Sequence, residues 1–361
     1  MRLAIDAREL TGHRTGVGRY LSELLSEWHA AGVGDRHDVT LYAHSSAAQV
    51  PAGWTDTLRI VPGVGGTRWE QWDFARALGA DRPDVLFAPG YTAPLTCPAP
   101  VALAVHDVSF FAHPEWFSRR EGRRRRLLTA WSARRARVVL APSAFSAGEL
   151  VRHIGLDAAR IRLVYIAARP PATPPAVHRE PVVLFVGSLF QRRRVDVLID
   201  AFAEVARTRP GARLEIVGAN RTSPHVDFAA QIAARGLEGR ARLRDWVDDA
   251  TLDALYGQAT VFVFLSQYEG FGLTPLEAMA RGAVPVVLDT PVAREIYGDA
   301  AVRVPDSARL AGDVAAALAL LLDDPAARQR LRHASGPVLS SYRWADTAAR
   351  TLAHLEEAAG A

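Results

Sequence analysis

Short apolar runs alternate with helix-like stretches along this chain, stop at a proline-rich segment, and then begin again. Strand-like runs fall at residues 3–6, 39–44, 58–61, 85–88, 101–106, 138–141 and 161–166. They resume at 182–186, 214–217, 241–243, 261–265 and 284–288. Apolar runs of this length, separated by helices, are what a parallel sheet covered on both faces requires. Between the two series, residues 168–176 hold four prolines in nine residues without periodicity, the composition of a stiff linker. The pattern therefore predicts an α/β chain of two Rossmann-like, doubly wound domains: residues 1–168 and residues 181–341, joined by a linker at 169–180. Beyond about Pro305 the chain reads as helical, over 311–322, 325–333 and 345–358.

With 361 residues, 49% of them hydrophobic, the chain can bury two cores. No apolar run approaches the roughly 20 residues that span a bilayer, and the start is a short strand broken by charge rather than a signal segment. The expectation is a cytoplasmic protein. Cys97 is the sole cysteine, which excludes an internal disulfide and any multi-cysteine metal site. All 43 basic residues are arginine. Schiff-base lysine chemistry and lysine-based phosphate loops are thereby excluded, so phosphates must be held by guanidinium groups or backbone.

The densest chemistry follows the run at 261–265. Glu269-Gly270-Phe271-Gly272-Leu273-Thr274-Pro275-Leu276-Glu277 sits where a buried strand ends and a helix begins, the ligand-facing end of an α/β sheet. Gly270 and Gly272 let backbone approach a ligand, and amides around Leu273 and Thr274 point toward a diphosphate at the positive helix end. Glu269 is then available to hexose hydroxyls and Glu277 to a ribose diol. Thr274-x-x-Glu277 also has the form of a capping box, which would make Glu277 a helix cap.

Glu-Gly-Phe-Gly-Leu, with a second Glu eight residues after the first, resembles the signature of family 4 glycosyltransferases, retaining enzymes of GT-B fold. The resemblance covers nearly the whole chain and implies two domains facing across a cleft, with the terminal helix, residues 342–361, packing back on the first. Gly187-Ser188-Leu189, at the end of the run 182–186, leads to Arg192 and Arg193, similar to a family segment whose Arg and Lys bind the donor diphosphate. Arg192 takes the Arg position and Arg193 the Lys position. Gly218, ending another strand, and Asp245-Trp246-Val247 resemble loops near the nucleotide. Asp245 is either an acceptor for guanine N1–H and N2–H₂ or an ordinary acid leading a helix.

In the first half, Gly16-Val17-Gly18-Arg19-Tyr20 opens a helix over 20–29 and resembles a family loop near the donor diphosphate or acceptor. A dinucleotide fingerprint is disfavoured, because Leu21 stands where a third glycine is needed. His106-Asp107, after the run 101–106, resembles the family's His-Asp pair, which implies His106 against the donor sugar and Asp107 orienting the loop or meeting the acceptor. Trp69-Glu70-Gln71 and the segment 89–95, with Tyr91 on the acceptor side, fit members acting on polysaccharide or lipid-linked precursors.

The resemblance thus implies a hexosyl transfer, mannosyl as the leading case, from a GDP- or UDP-type sugar to a hydroxyl of a glycan or lipid-linked glycan. Arg192, Arg193, His106 and Glu269 would carry the chemistry. No Asp-x-Asp stands at a strand end, so no metal or other cofactor is expected. An epimerase or phosphorylase of the same fold, and a catalytically silent glycan-binding or scaffold subunit, are the alternatives. Nine arginines against one acid, Glu121, crowd into residues 119–137. That stretch reads as a basic helix over 118–136 that docks on anionic lipid, or as a solvated helix whose apolar stripe is core. Nucleic-acid binding is the weakest reading, because no stacking aromatics interleave with the charge.

Overall fold

A computed structural model describes residues 1–12, 16–169 and 179–360. Most of the proline segment, at 170–178, lies outside the described residues, as does Thr15 before the first glycine. The chain divides into two compact units: Met1–Ile166 with Arg343–Ala361, and Ala167–Tyr342.

The first unit is built on seven strands: β1 Arg2–Asp6, β2 Asp38–Ala43, β3 Leu58–Ile60, β4 Val85–Ala88, β5 Val101–Ala104, β6 Val138–Ala141 and β7 Ile161–Leu163. All pair in parallel, in the order β3-β2-β1-β4-β5-β6-β7. The second contains β8 Val182–Val186, β9 Arg213–Val217, β10 Ala241–Arg244, β11 Val261–Phe264, β12 Val284–Leu288 and β13 Val302–Val304. Its order, again all parallel, is β10-β9-β8-β11-β12-β13. In each sheet the direction of strand addition reverses once, between β1 and β4 and between β8 and β11. A crevice opens at the carboxyl ends of the strands at such a reversal, because the two connections leave on opposite faces. Topology alone thus marks one such crevice in each unit.

Several elements differ from the sequence reading. Strand β13 was not anticipated, because Val-Arg-Val is too short to stand out as an apolar run. Strands β5 and β7 stop earlier than expected, so His106 and Asp107 lie on the loop beyond β5. The first helix begins at Gly16 rather than Tyr20, placing Gly16 and Gly18 inside its first turn instead of in a preceding loop. Tertiary packing overrides glycine's weak helix propensity there, since Gly18 and Tyr20 are both buried. The helix expected to stop at 333 runs Pro325–Ser340, through Gly336 and Pro337.

Three fully buried tryptophans organise the first unit, each donating its indole N–H to a carbonyl: Trp28 to Ala348 at 2.9 Å, Trp54 to Leu25 at 2.7 Å and Trp69 to Val61 at 2.8 Å. Such bonds let a large apolar ring be buried without stranding its polar edge. The bond from Trp28 reaches the final helix, Trp344–Ala359, which also packs against the helix Gly16–Ala30 and against β4 and β5. The chain's last segment is therefore part of its first unit. Leu355, completely buried on that helix, is expected to cost about 2–4 kcal/mol when changed to Ala. Hydrogen exchange of the variant should show the loss of protection concentrated in β1, β4 and β5 rather than in β8 to β13.

Candidate functional site

At the β8/β11 reversal, two glycines allow three loops to converge. Gly187 (φ +139°) and Gly218 (φ +146°) follow β8 and β9. A Cβ on Gly218 would lie 2.1 Å from the Gly187 carbonyl oxygen, and one on Gly187 would lie 2.4 Å from an Arg193 Nη1. Backbone blocks a side chain at Gly218, and at Gly187 the positive φ disfavours one and Arg193 would have to move. The arginine loop tightens into a 3₁₀ turn, Gln191–Arg193, and Arg194 in the left-handed region (φ +50°) starts the helix Val195–Thr208. Arg193 donates from Nη1 to the Ser188 carbonyl at 3.1 Å and from Nε to Glu269 Oε1 at 3.1 Å. Ser266 Oγ donates to the same carboxylate oxygen at 2.8 Å. Arg192 lies 4.5 Å from the Phe190 ring centre, and its carbonyl accepts from the Gln267 amide at 2.9 Å, tying the exit of β11 to the arginine loop. Arg194 is paired with Asp306 at 2.9 Å. The cluster is thus a set of specifically engaged guanidinium groups rather than a solvated charge patch.

Beside it, Gly272 caps the helix Leu273–Ala280 in the left-handed region (φ +86°). Tyr297, buried beneath, donates its hydroxyl to the Gly272 carbonyl at 2.7 Å. A Cβ on Gly272 would meet that hydroxyl at 2.0 Å. Thr274 is the second residue of the helix and not its cap, so the capping box does not form. Its Oγ1 is buried without a partner among the described residues. Glu277 is buried and accepts from the Tyr256 hydroxyl at 3.1 Å. Phe271 turns into the core against Tyr342, and Gly270 is buried beside it. Asp245 and Trp246 are exposed on the loop after β10, two strands from β8, with Val247 half-buried; Trp246 is 71% exposed.

The remaining expected residues belong to the first unit. His106 Nε2 donates to the Pro89 carbonyl at 2.8 Å, and the ring packs edge-on to Tyr20 and Tyr91. Burial pushes its pKa down, against the opposing effects of the Pro89 bond and Asp107, so the imidazole is neutral at pH 7. Asp107 accepts from the Tyr91 hydroxyl at 2.9 Å and from the Ser109 amide at 2.8 Å. Its carboxylate is occupied in shaping the loop. Tyr91 itself is held at φ +67°, an uncommon conformation for an aromatic residue.

Two features escaped the sequence reading. One is Tyr297, 25 positions from the glycine it supports. The other is a buried cluster at the β1/β4 reversal, in which Arg8 pairs with Asp6 at 3.0 Å and with Glu70, while Thr92 Oγ1 donates to Glu70 at 2.6 Å. An acid ending a buried strand, two residues before an arginine, was the available signal. The basic helix runs Arg119–Arg135, capped by Ser118, and buries only small residues, among them Gly122, Ala130 and Ala133. Leu127 and Trp131 are 49% and 56% exposed, so these two residues of the expected apolar stripe are not core.

Among the described residues no group of three His, Cys, Asp or Glu side chains is placed to hold a metal, and no helix is long and apolar enough to cross a membrane. Residues 171–335 match the family Glycosyl transferases group 1, and residues 14–170 match Glycosyltransferase Family 4. A GDP-mannose:cellobiosyl-diphosphopolyprenol alpha-mannosyltransferase of Komagataeibacter xylinus is 32% identical over 228 residues, covering 61% of this chain and 56% of that protein. The O-antigen chain mannosyltransferase B of Escherichia coli is 29% identical over 208 residues, 54% of each chain. The chain spans about half the length of these curated relatives. In fold it is similar to the sucrose-phosphate synthase of Thermosynechococcus elongatus, with a TM-score of 0.78 at 18% identity, covering 99% of this chain and 98% of that one. Two parallel sheets, each with one reversal, and two adjoining family matches lead to one conclusion: the chain belongs to the group 1, family 4 glycosyltransferases and has the GT-B fold.

Proposed function

We propose that this protein is a retaining glycosyltransferase that moves a hexosyl group from a nucleoside-diphosphate sugar to a hydroxyl of a glycan or lipid-linked glycan. The observation that carries the reading is the Arg193–Glu269 pair at the β8/β11 reversal, beside the amide-rich opening of the helix Leu273–Ala280. A diphosphate there would meet Arg192, Arg193 and the first amides of that helix. These groups stabilise the negative charge that grows on the diphosphate as the bond to the anomeric carbon breaks, which is electrostatic preorganisation. With Oε1 held by Arg193 and Ser266, Glu269 offers Oε2 to a hexose hydroxyl. Glu277 serves the ribose diol from its buried position. His106, its Nε2 committed to Pro89, has Nδ1 as the acceptor for a sugar hydroxyl.

In front-face attack the acceptor hydroxyl forms its bond on the face the diphosphate leaves, and the departing phosphate oxygen takes the proton. Configuration is retained with no protein nucleophile. The charge is handled by arginines, so the proposed reaction runs without a metal. Mannosyl from GDP-mannose is the proposed donor, supported by two relatives named for mannosyl transfer and by Asp245, whose carboxylate matches the guanine N1–H and N2–H₂ donors. The exposed Trp246 beside it offers a face for the base.

We also propose that the protein works at the inner, anionic face of a membrane. Outward-facing Leu127 and Trp131 flank the arginines of one helix, whose Arg124 donates to Thr67 at 2.6 Å, next to the turn leading to an exposed Trp72.

Thermal unfolding with GDP, UDP, dTDP and ADP side by side should give a clear stabilisation with GDP alone, about 2.7 kcal/mol at 100 times its Kd. Failure of all four would sink the glycosyltransferase reading. Arg192→Ala should lower kcat on the order of 10²-fold or more, as removal of one preorganised donor does, and activity should survive chelation by EDTA. Sedimentation with phosphatidylglycerol vesicles, but not phosphatidylcholine vesicles, should pull down the protein at low salt. Arg119→Glu, Arg120→Glu and Arg123→Glu together should abolish that, each lost cation being worth about 1 kcal/mol.

A further inference from the structure

No step of the proposed transfer uses the buried phenol of Tyr297, which lies against the opening of the helix Leu273–Ala280. Its own backbone is held from both sides. Tyr297 ends the helix Pro291–Tyr297, which follows β12 and is capped by Thr290, whose Oγ1 accepts from the Ala293 amide at 3.2 Å. On the other side Arg303 of β13 donates to the carbonyl of Gly298, the next residue. A phenol hydroxyl this deeply buried needs an acceptor, and it has the Gly272 carbonyl at 2.7 Å. Burial, with Glu269 and Tyr342 adding to it and Arg193 opposing, pushes the phenol well above its ordinary pKa, so the hydroxyl remains a donor.

The consequence lies in the peptide that joins Gly272 to Leu273. A trans peptide is planar, and its carbonyl and the following N–H point in opposite directions. The hydroxyl draws the Gly272 carbonyl down toward the core, so the Leu273 N–H of the same peptide points up and away from it. Leu273 is the first residue of its helix, and its amide is one of those a helix start leaves without an internal acceptor. Neither this amide nor that of Thr274 is bonded to another described residue. Residue 272 must be glycine twice over: its φ is +86°, and a Cβ would lie 2.0 Å from the Tyr297 hydroxyl. The same absence of Cβ leaves the peptide soft on that side. Without a bond to its carbonyl it would tilt, turning the amide away from an anion and the carbonyl oxygen toward it.

We propose that Tyr297 is a positioning residue for the donor: its hydroxyl, by holding the Gly272 carbonyl, aims the Leu273 amide at the diphosphate. The inference rests on the reading of this site as a nucleoside-diphosphate-sugar site and adds to it a residue that touches no ligand. Tyr297 acts only through the peptide it anchors, so its contribution belongs to the phosphates and not to the base or ribose.

Tyr297→Phe removes the hydroxyl and keeps the ring that fills the core. Calorimetric titration of the full chain, parent and variant, with GDP and with guanosine isolates the phosphate-dependent part of binding. The variant should lose about tenfold in affinity for GDP, the size of one hydrogen bond to a charged group, while its affinity for guanosine stays at the parent's value. An equal loss for both probes would mark a general distortion of the pocket, and an undiminished GDP affinity would show that the hydroxyl aims nothing; either result overturns the assignment of Tyr297 and leaves the donor reading standing. A second measurement needs no variant and decides the matter should Tyr297→Phe not fold. In the ¹⁵N-labelled parent, GDP should move the Leu273 amide proton downfield, as donation to a charged oxygen does, and guanosine should not. A Leu273 amide indifferent to GDP that does bind would overturn the assignment. Absence of GDP binding in the parent protein would overturn it together with the donor reading on which it rests.

Discussion

The carbonyl oxygen of Gly187 occupies the space where a side chain on Gly218 would begin. That approach brings the loops after β8 and β9 together, and the Gly187 amide in turn donates to the Val217 carbonyl at 2.9 Å. Arg193 folds back over Gly187 because no Cβ blocks it, and only from there does its guanidinium reach both Ser188 and Glu269. Each step removes freedom from the next. The result is a cation whose position is set by backbone packing before any ligand arrives, which is the condition for stabilising developing charge without reorganisation. Tyr297 supplies the same service on the opposite side, fixing the left-handed Gly272 from below.

How far the sequence disclosed this follows from how local each device is. The glycines, Glu269, Arg192 and Arg193 stand in short segments at strand ends, where the switch from apolar run to glycine is visible in a single reading. The paired sheets were legible for a similar reason, since buried parallel strands are continuously apolar. The Arg8–Glu70 pair was not: Trp69-Glu70-Gln71 stood out only through the family resemblance, and its partner Arg8, 62 positions away, looks like an ordinary surface charge. Gly16 and Gly18 were read as loop from the family resemblance; glycine weakens an isolated helix by about 1 kcal/mol, a local preference that packing of the same turn outweighs. The capping box had the right residues at the right spacing. It fails because Gly272 already caps the helix, which leaves Thr274 two positions past the cap.

The two units use one topology for two chemistries. Both reversal points expose strand ends and helix openings, so the fold itself does not decide what each binds. At β8/β11 the Arg193 guanidinium, held by Ser188 and Glu269, stands beside the backbone amides that open the helix Leu273–Ala280. At β1/β4 a buried guanidinium, Arg8, sits between two carboxylates, Asp6 and Glu70.

Exclusive use of arginine makes both arrangements robust to burial. A lysine loses its charge when desolvated, by up to several pKa units, whereas a guanidinium begins so high that burial cannot neutralise it near pH 7. Arg179 illustrates the margin. Burial, with Arg332 close by, lowers it to about 10, yet it still donates as a cation to the carbonyls of Tyr256, Ala259 and Arg281. A lysine begins about two pKa units lower and would have no such reserve. Arg8 lies deeper still, and Asp6 and Glu70 more than offset the burial that opposes its charge. Its planar fork places one nitrogen, Nη2, among Asp6, Glu70 and Thr92 together, a fixed geometry that an ammonium on a flexible stem does not supply.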